Sequence, residues 1–415
     1  MQKTRLILGA AVFGLVASAQ AKPEFVLPEV IYAAPGIECN IYYANVFDSC
    51  TPEKWAFQTY GQVGNSWKNR WSWKPGKGNA GRDYTLVINA WTDEDDYPIA
   101  ATTVVKVAKV PKAKGGETNR VTLALFGDSL TGCGYQDQAM EDIRKAGWVN
   151  YTPVGTRRLK ENGALHDGYG GWSYNSYLKE YMLGKEEYAN VQDEAEREQL
   201  KALGVPVAKL ESWQTDLRRS PILKMEKGKI VLDEKPWLGR INGGKAPDYL
   251  FVMLGINATW WTKGTRAEVE KSTWETMYAR EDNELLPFYK TIRKMLPDTV
   301  ILLANTPLGG DQNAFTSNYG SDWNYVQQRK NGYALNKCLD KFVKMQNDPK
   351  LVFVGTAQAI DPFYGYMRKT QKVNARCDAT EEVGANAVHP SAEGGLQVGD
   401  AMAAAVLFQM GKDLK

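Results

Sequence analysis

The stretch Leu123–Gly132, "LALFGDSLTG", decides how this chain is read. Leu123, Ala124, Leu125 and Phe126 form a run of small and apolar side chains that stops abruptly at Gly127, Asp128 and Ser129. The sequence then turns polar and helical. A short continuous apolar run bounded by turn residues fits a strand buried on both faces of a parallel sheet. A serine on a tight strand-to-helix turn is pushed out of such a sheet with its hydroxyl exposed. Its own backbone N–H then lies near a helix N-terminus, where negative charge is stabilised. Gly-Asp-Ser also makes ordinary turns, so the meaning of Ser129 depends on what the rest of the chain supplies.

Working outward, the pattern repeats from Val121 onward. The apolar runs "VTLALF", "DYLFVMLG", "TVILLANT" and "KLVFVG" alternate with the helical stretches "YQDQAMEDIRKAG" and "ELLPFYKTIRKML". Strands alternating with helices predict a parallel sheet covered on both faces, with its active site beyond the carboxyl ends of the strands. Residues 180–245 are charged and irregular for a single connection, and read as an insertion on the rim where a substrate wall could be built. Residues 22–108 differ. "EVIYAAPGIECNIYYANVF", "DYTLVINAWTD" and "IAATTVVKVAKV" are rich in Val, Ile, Thr and aromatics and are separated by turn residues. They predict a small all-β, antiparallel sandwich of immunoglobulin-like size. "KVPKAKGGETNR", residues 109–120, reads as a linker, leaving 121–415 as the α/β domain.

Composition narrows the function. The 415 residues are 43% hydrophobic and 24% charged, an ordinary globular balance. The N-terminus joins Lys3 and Arg5 to an apolar stretch, Leu6–Ala17, and an Ala-Gln-Ala site ending at Ala21, and so reads as a signal peptide, residues 1–21. The expectation is a secreted or periplasmic protein with no membrane insertion. Without Lys3 and Arg5, 49 basic residues face 48 acidic ones, and no basic surplus points to nucleic acid. The cysteines, Cys39, Cys50, Cys133, Cys338 and Cys377, are odd in number. Cys39 with Cys50, and less strongly Cys338 with Cys377, are possible disulfides; buried free thiols are the competing reading. With no C-x-x-C pair and two histidines, there is no structural zinc pattern, and no cofactor is expected.

A serine nucleophile needs a base, nearly always histidine, and the choice is between His166 and His389. His166 lies in the glycine-rich "HDGYGGWSY" and reads as a packed side chain; His389 lies in "NAVHPSAEGG", ahead of an amphipathic C-terminal helix. Taken together, Gly127-Asp128-Ser129-Leu130, Gly171 in "YGGW", Asn257 in "MLGINA" and His389-Pro390 resemble the SGNH, or GDSL-type, hydrolase family across roughly residues 120–410. The resemblance implies a three-layer, flavodoxin-like fold with a parallel sheet. It makes Ser129 the nucleophile and His389 the general base. The oxyanion hole would comprise the N–H groups of Ser129 and Gly171 (Gly170 being the alternative) and the side-chain amide of Asn257.

The pattern departs from the family at two places: Asn386 stands three residues before His389 where an aspartate is usual, and Ala258 follows Asn257. The carboxylate matters because it fixes the imidazole tautomer; an amide there cost a serine protease about 10⁴ in rate. Asn386 could serve through its carbonyl oxygen, or Asp378, Glu382 or a backbone carbonyl could replace it. A working enzyme with a dyad or an Asn-assisted triad is the expectation. The resemblance narrows the chemistry to ester hydrolysis. Tyr169, Trp172, Trp260 and Trp261 near the site, together with export and the β domain, favour an acetylated polysaccharide or oligosaccharide as substrate. Two rivals remain: a lipid or thioester hydrolase of the same family, and a glycan-binding protein with a degenerate site.

Overall fold

A computed structural model describes residues 23–49, 51–94, 97–110, 120–148, 150–179, 181–182, 218–227, 229–279, 283–320 and 323–413. The expected signal peptide, nearly all of the linker, Cys50 and most of the rim insertion lie outside these residues.

The N-terminal part folds as two sheets. The larger has the order β1 (Val30–Ala33), β7 (Ile99–Val107), β6 (Asp83–Trp91), β3 (Ala56–Gly61), and the smaller the order β2 (Cys39–Tyr42), β5 (Arg70–Trp73), β4 (Asn65–Ser66). Strict alternation along β6 sends Tyr84, Leu86, Ile88 and Ala90 inward. Tyr84, Leu86 and Ile88 pack in one cluster with Ile41 and Trp71 of the smaller sheet. One departure from the expected antiparallel arrangement stands out, since β1 pairs with β7 in parallel. Cys39, Cys133, Cys338 and Cys377 are free thiols, so neither expected disulfide forms. Among the described residues, no helix is long and apolar enough to cross a membrane.

From β8 (Val121–Gly127) onward the chain builds a parallel sheet in the order β10 (Asp167–Gly168), β8, β11 (Tyr249–Met253), β12 (Val300–Ala304), β13 (Leu351–Val354), with β9 (Tyr151–Val154) on the same flank of β8 as β10. The four apolar runs of the sequence are β8, β11, β12 and β13. Every residue of β8 and β11 is buried, and successive side chains serve opposite layers. Leu123, Leu125, Phe251 and Leu302 face α1 (Tyr135–Lys145) and the C-terminal α4 (Ala392–Asp413). Ala124, Phe126, Leu250 and Leu303 face α2 (Leu285–Met295) and α3 (Tyr325–Gln346). Both faces are therefore covered by helices.

Numbered by their appearance in the chain, these strands run 2-1-3-4-5. In that order the connections leave the first and third strands, β8 and β11, in opposite directions, opening a crevice above their carboxyl ends. The register is pinned at the far ends: Thr122 N and Oγ1 both donate to Asp248 Oδ2 at 2.7 Å. The N-terminal sheets dock on this unit, with Ala34, Ile37 and Ala108 joining the cluster beneath α1 and α4. Asn45 Nδ2 donates to the carbonyls of Ala357 and Ile360, and the Asp48 carboxylate pairs with Arg266 at 2.9 Å.

At the end of β8 there is no room for a side chain. A methyl group on Gly127 would lie 2.4 Å from Thr131 Oγ1, and one on Gly168 would lie 2.3 Å from it. Gly127→Ala should lower stability by about 1–3 kcal/mol through overpacking. Adding Thr131→Ala should recover part of that loss in a double-mutant cycle followed by urea unfolding.

Candidate active site

The serine turn is built by its neighbours. After Gly127 the chain enters a short 3₁₀ turn, Ser129–Cys133, whose N-cap is Asp128; its carboxylate accepts from Leu130 N–H at 2.9 Å. Ser129 is half-buried directly above the carboxyl end of β8, as its sequence position implied. Behind it, Gly127 N–H donates to the Tyr177 hydroxyl at 2.9 Å. That hydroxyl also lies 2.8 and 2.5 Å from the carbonyls of Gly127 and Asp167, so it clasps the ends of β8 and β10.

The glycine loop leaves β10 and passes the serine. A methyl group built on Gly170 would sit 3.9 Å from Ser129 Cβ, which places Gly170 against the serine side chain. Gly171 next to it is in the left-handed region at φ 77°, where glycine is favoured. Asn257 lies in the short helix after β11, across the crevice. Its Nδ2 donates to Trp172 O at 2.8 Å and to Asp128 Oδ2 at 3.3 Å. The amide is thus aimed at the glycine loop and the serine turn together.

Asp128 is the residue that sequence reasoning missed. It is fully buried, and burial pushes its carboxyl up to about 7 against the opposing hydrogen bond from Leu130 N–H. Its position beside Asn257 makes it a positioning group for the amide. The signal was present in the sequence: an ionisable side chain between an apolar strand and a serine is buried wherever that turn closes on a neighbouring strand.

His389 arrives from the other end of the chain. The segment after it packs on the serine turn: Cys133 Sγ contacts Pro390 O at 3.4 Å, and a methyl group on Gly395 would meet Cys133 O at 2.0 Å. Ser129 and Cys133 are the two ends of one turn, about 8 Å apart along a 3₁₀ axis. Among the described residues, no hydrogen bond joins Ser129 Oγ to the His389 imidazole. Burial lowers the His389 pKa from its ordinary value and favours the neutral, proton-accepting form.

Asn386 works on His389 through the backbone. Its Oδ1 accepts from Val388 N–H at 2.9 Å and from His389 N–H at 2.8 Å. Both lone pairs of that oxygen are then used, and the side chain shapes the turn that presents the imidazole. Asp378 and Glu382 sit on the hairpin Arg368–Lys372/Thr380–Gly384 and face Lys372 and Arg368, respectively. His166 is buried, its Nδ1 accepting from Gly168 N–H at 3.1 Å, as a packed histidine would be.

The aromatic platform needs correction. Tyr169 and Trp172 stack on each other at 4.1 Å and are 2% and 0% exposed, so they pack the layer behind the glycine loop. Trp260, 6% exposed, packs against Phe315, Tyr319 and Trp323. Large rings next to glycines fill the space that the glycines leave, which is why these three serve packing. Trp261 is 66% exposed, with its ring edge-on to Trp260, Tyr319 and Trp323.

No family model and no curated sequence matches the chain. Among solved structures, it is similar to an extracellular lipase from Streptomyces rimosus (11% identity, 67% of this chain and 97% of the other, TM-score 0.31). It is also similar to a phospholipase A1 from Streptomyces albidoflavus NA297 (13% identity, 69% and 99%, TM-score 0.32). With TM-scores this low, the site's own geometry has to carry the functional conclusion.

Because the imidazole must be neutral to accept a proton, a lowered pKa moves the acid limb of kcat/KM below the ordinary histidine value of about 6.5. A pH profile on an activated ester should show that limb, and His389→Ala should abolish it. Asn257→Ala should reduce kcat by roughly 10²–10³ with little change in KM, as for other side-chain oxyanion donors.

Proposed function

We propose that this chain is a serine ester hydrolase of the SGNH type. In this reading Ser129 is the nucleophile and His389 the general base. The N–H groups of Ser129 and of Gly170 or Gly171, with the Asn257 amide, receive the oxyanion. The observation that carries it is the meeting of the serine turn, the glycine loop and Asn257 over the crevice between β8 and β11, with the His389–Pro390 segment packed on the serine turn. In the reaction, His389 takes the Ser129 proton as Oγ attacks the ester carbon. Three neutral donors then hold the developing negative charge, and His389 returns the proton to the departing alcohol, leaving the acyl group on Oγ. A water deprotonated by His389 then attacks the acyl carbon, the acid departs and Oγ regains its proton.

For the alcohol we favour a carbohydrate carrying O-acetyl groups. A cavity of about 740 Å³ opens beside Cys133, with Asp137, Gln138, Arg144 and Lys160 on its wall and Met140 and Leu396 among them. The charged and amide side chains of that wall can hydrogen-bond the hydroxyls of a sugar, and the exposed Trp261 offers a ring for stacking. A lipid ester is the second reading. Phe363, Tyr364 and Met367 are all exposed on the segment that pairs with Pro390 through Tyr366.

Acetate release from acetylated polysaccharides, run beside p-nitrophenyl esters from acetate to octanoate, separates the two. Falling kcat/KM with acyl length supports the acetylesterase, and a rise supports the lipid reading. Ser129→Ala should lower kcat by on the order of 10⁶-fold on any substrate that is turned over. Retained glycan binding with no turnover by the wild type would make the protein a binder.

A further inference from the structure

Away from the active site, one small cleft collects oxygen atoms that nothing in the protein satisfies. It lies where the N-terminal strands meet α4 and is bounded by Glu38 and Asn40 on one side and by Gln358 and Asp400 on the other. Asn40 is 9% exposed and Gln358 2% exposed, yet Asn40 Oδ1 and Gln358 Oε1 have no hydrogen-bond partner. Their amide nitrogens are assigned by their own bonds: Asn40 Nδ2 donates to Glu38 Oε1 at 2.9 Å and Gln358 Nε2 to Gly355 O at 2.8 Å. Both oxygens are therefore acceptors left over, and a buried acceptor without a donor costs about 1–3 kcal/mol.

Negative charge gathers at the same place. Gln138 Nε2 bridges Asp400 Oδ1 at 3.1 Å and Asp142 Oδ2 at 3.0 Å, holding the two carboxyls together at the contact of α1 with α4. Glu38 stands exposed at the mouth, and no Lys or Arg side chain is among the residues that line the cleft. The free space is about 20 Å³, room for one body the size of a water molecule. A second acidic group, Glu24, Asp48 and Glu270, is already met by Lys337 and Arg266.

We propose that this cleft binds one calcium ion, taken by the Glu38 and Asp400 carboxylates and the side-chain oxygens of Asn40 and Gln358. Two carboxylates and two amide oxygens form a hard, all-oxygen set; it suits Ca²⁺, which accepts irregular geometry and completes its shell with water. Because Glu38 and Asn40 belong to the N-terminal sheets while Gln358 and Asp400 belong to the α/β unit, the ion would fasten one to the other. No residue of the serine turn, the glycine loop or the His389 segment lines the cleft.

The test is calcium titration of the chelator-treated protein by calorimetry, with thermal unfolding in EDTA and in millimolar CaCl₂ alongside. The expected result is one Ca²⁺ per chain and a melting temperature raised by roughly 3 °C or more. Both effects should be lost in Glu38→Gln, whose exposed site tolerates the change, and in Asp400→Asn. Equal melting temperatures in EDTA and calcium, with no heat of binding, would overturn the proposal and leave a single water as the occupant. Binding that survives unchanged in both variants would overturn it as well.

Discussion

Everything in the candidate site depends on how closely the serine turn packs on the ends of two strands. Thr131 presses its hydroxyl onto the Cα atoms of Gly127 and Gly168, where any side chain would collide. That contact sets the height of Ser129 above the sheet and the path of the glycine loop beside it. The Tyr177 hydroxyl holds the same two strands from behind. Two glycines, one threonine and one tyrosine thus fix the position of Ser129, while the crevice itself comes from strand order.

Much of this was legible in the sequence because it follows from local pattern. The four unbroken apolar runs could be buried on both faces only in a parallel sheet, and each is a strand of that sheet. Ser129 and Asn257 lie where such runs stop, and strand ends are where chemistry collects in this architecture. The N-terminal strands were legible from alternation; the parallel pairing of β1 with β7 was not, because pairing direction is set by contacts far apart in the chain.

The site's finer parts were hidden for a physical reason. The side chains of Tyr169, Trp172 and Trp260 resemble a sugar platform in the sequence, but burial is decided by what packs on them, and neighbouring rings do. Asn386 stands where a carboxylate is usual, yet its oxygen is spent on two backbone N–H groups, a bond pattern that residue type alone does not reveal. Asp128 gained its role from Asn257, 129 positions away, so its importance appears only once the strands are assembled.

The docking of the N-terminal sheets has one more consequence. Ala34, Ile37 and Ala108 sit in the same apolar cluster as Val398, Met402 and Leu407 of α4, the helix that follows the His389 segment. An excised α/β fragment would leave that flank of the helix wet, and His389 stands just ahead of its first turn. The β-rich portion is thus a packing support for α4 and the turn that carries His389 as much as an appendage, and an α/β fragment cut free of it would lose that support.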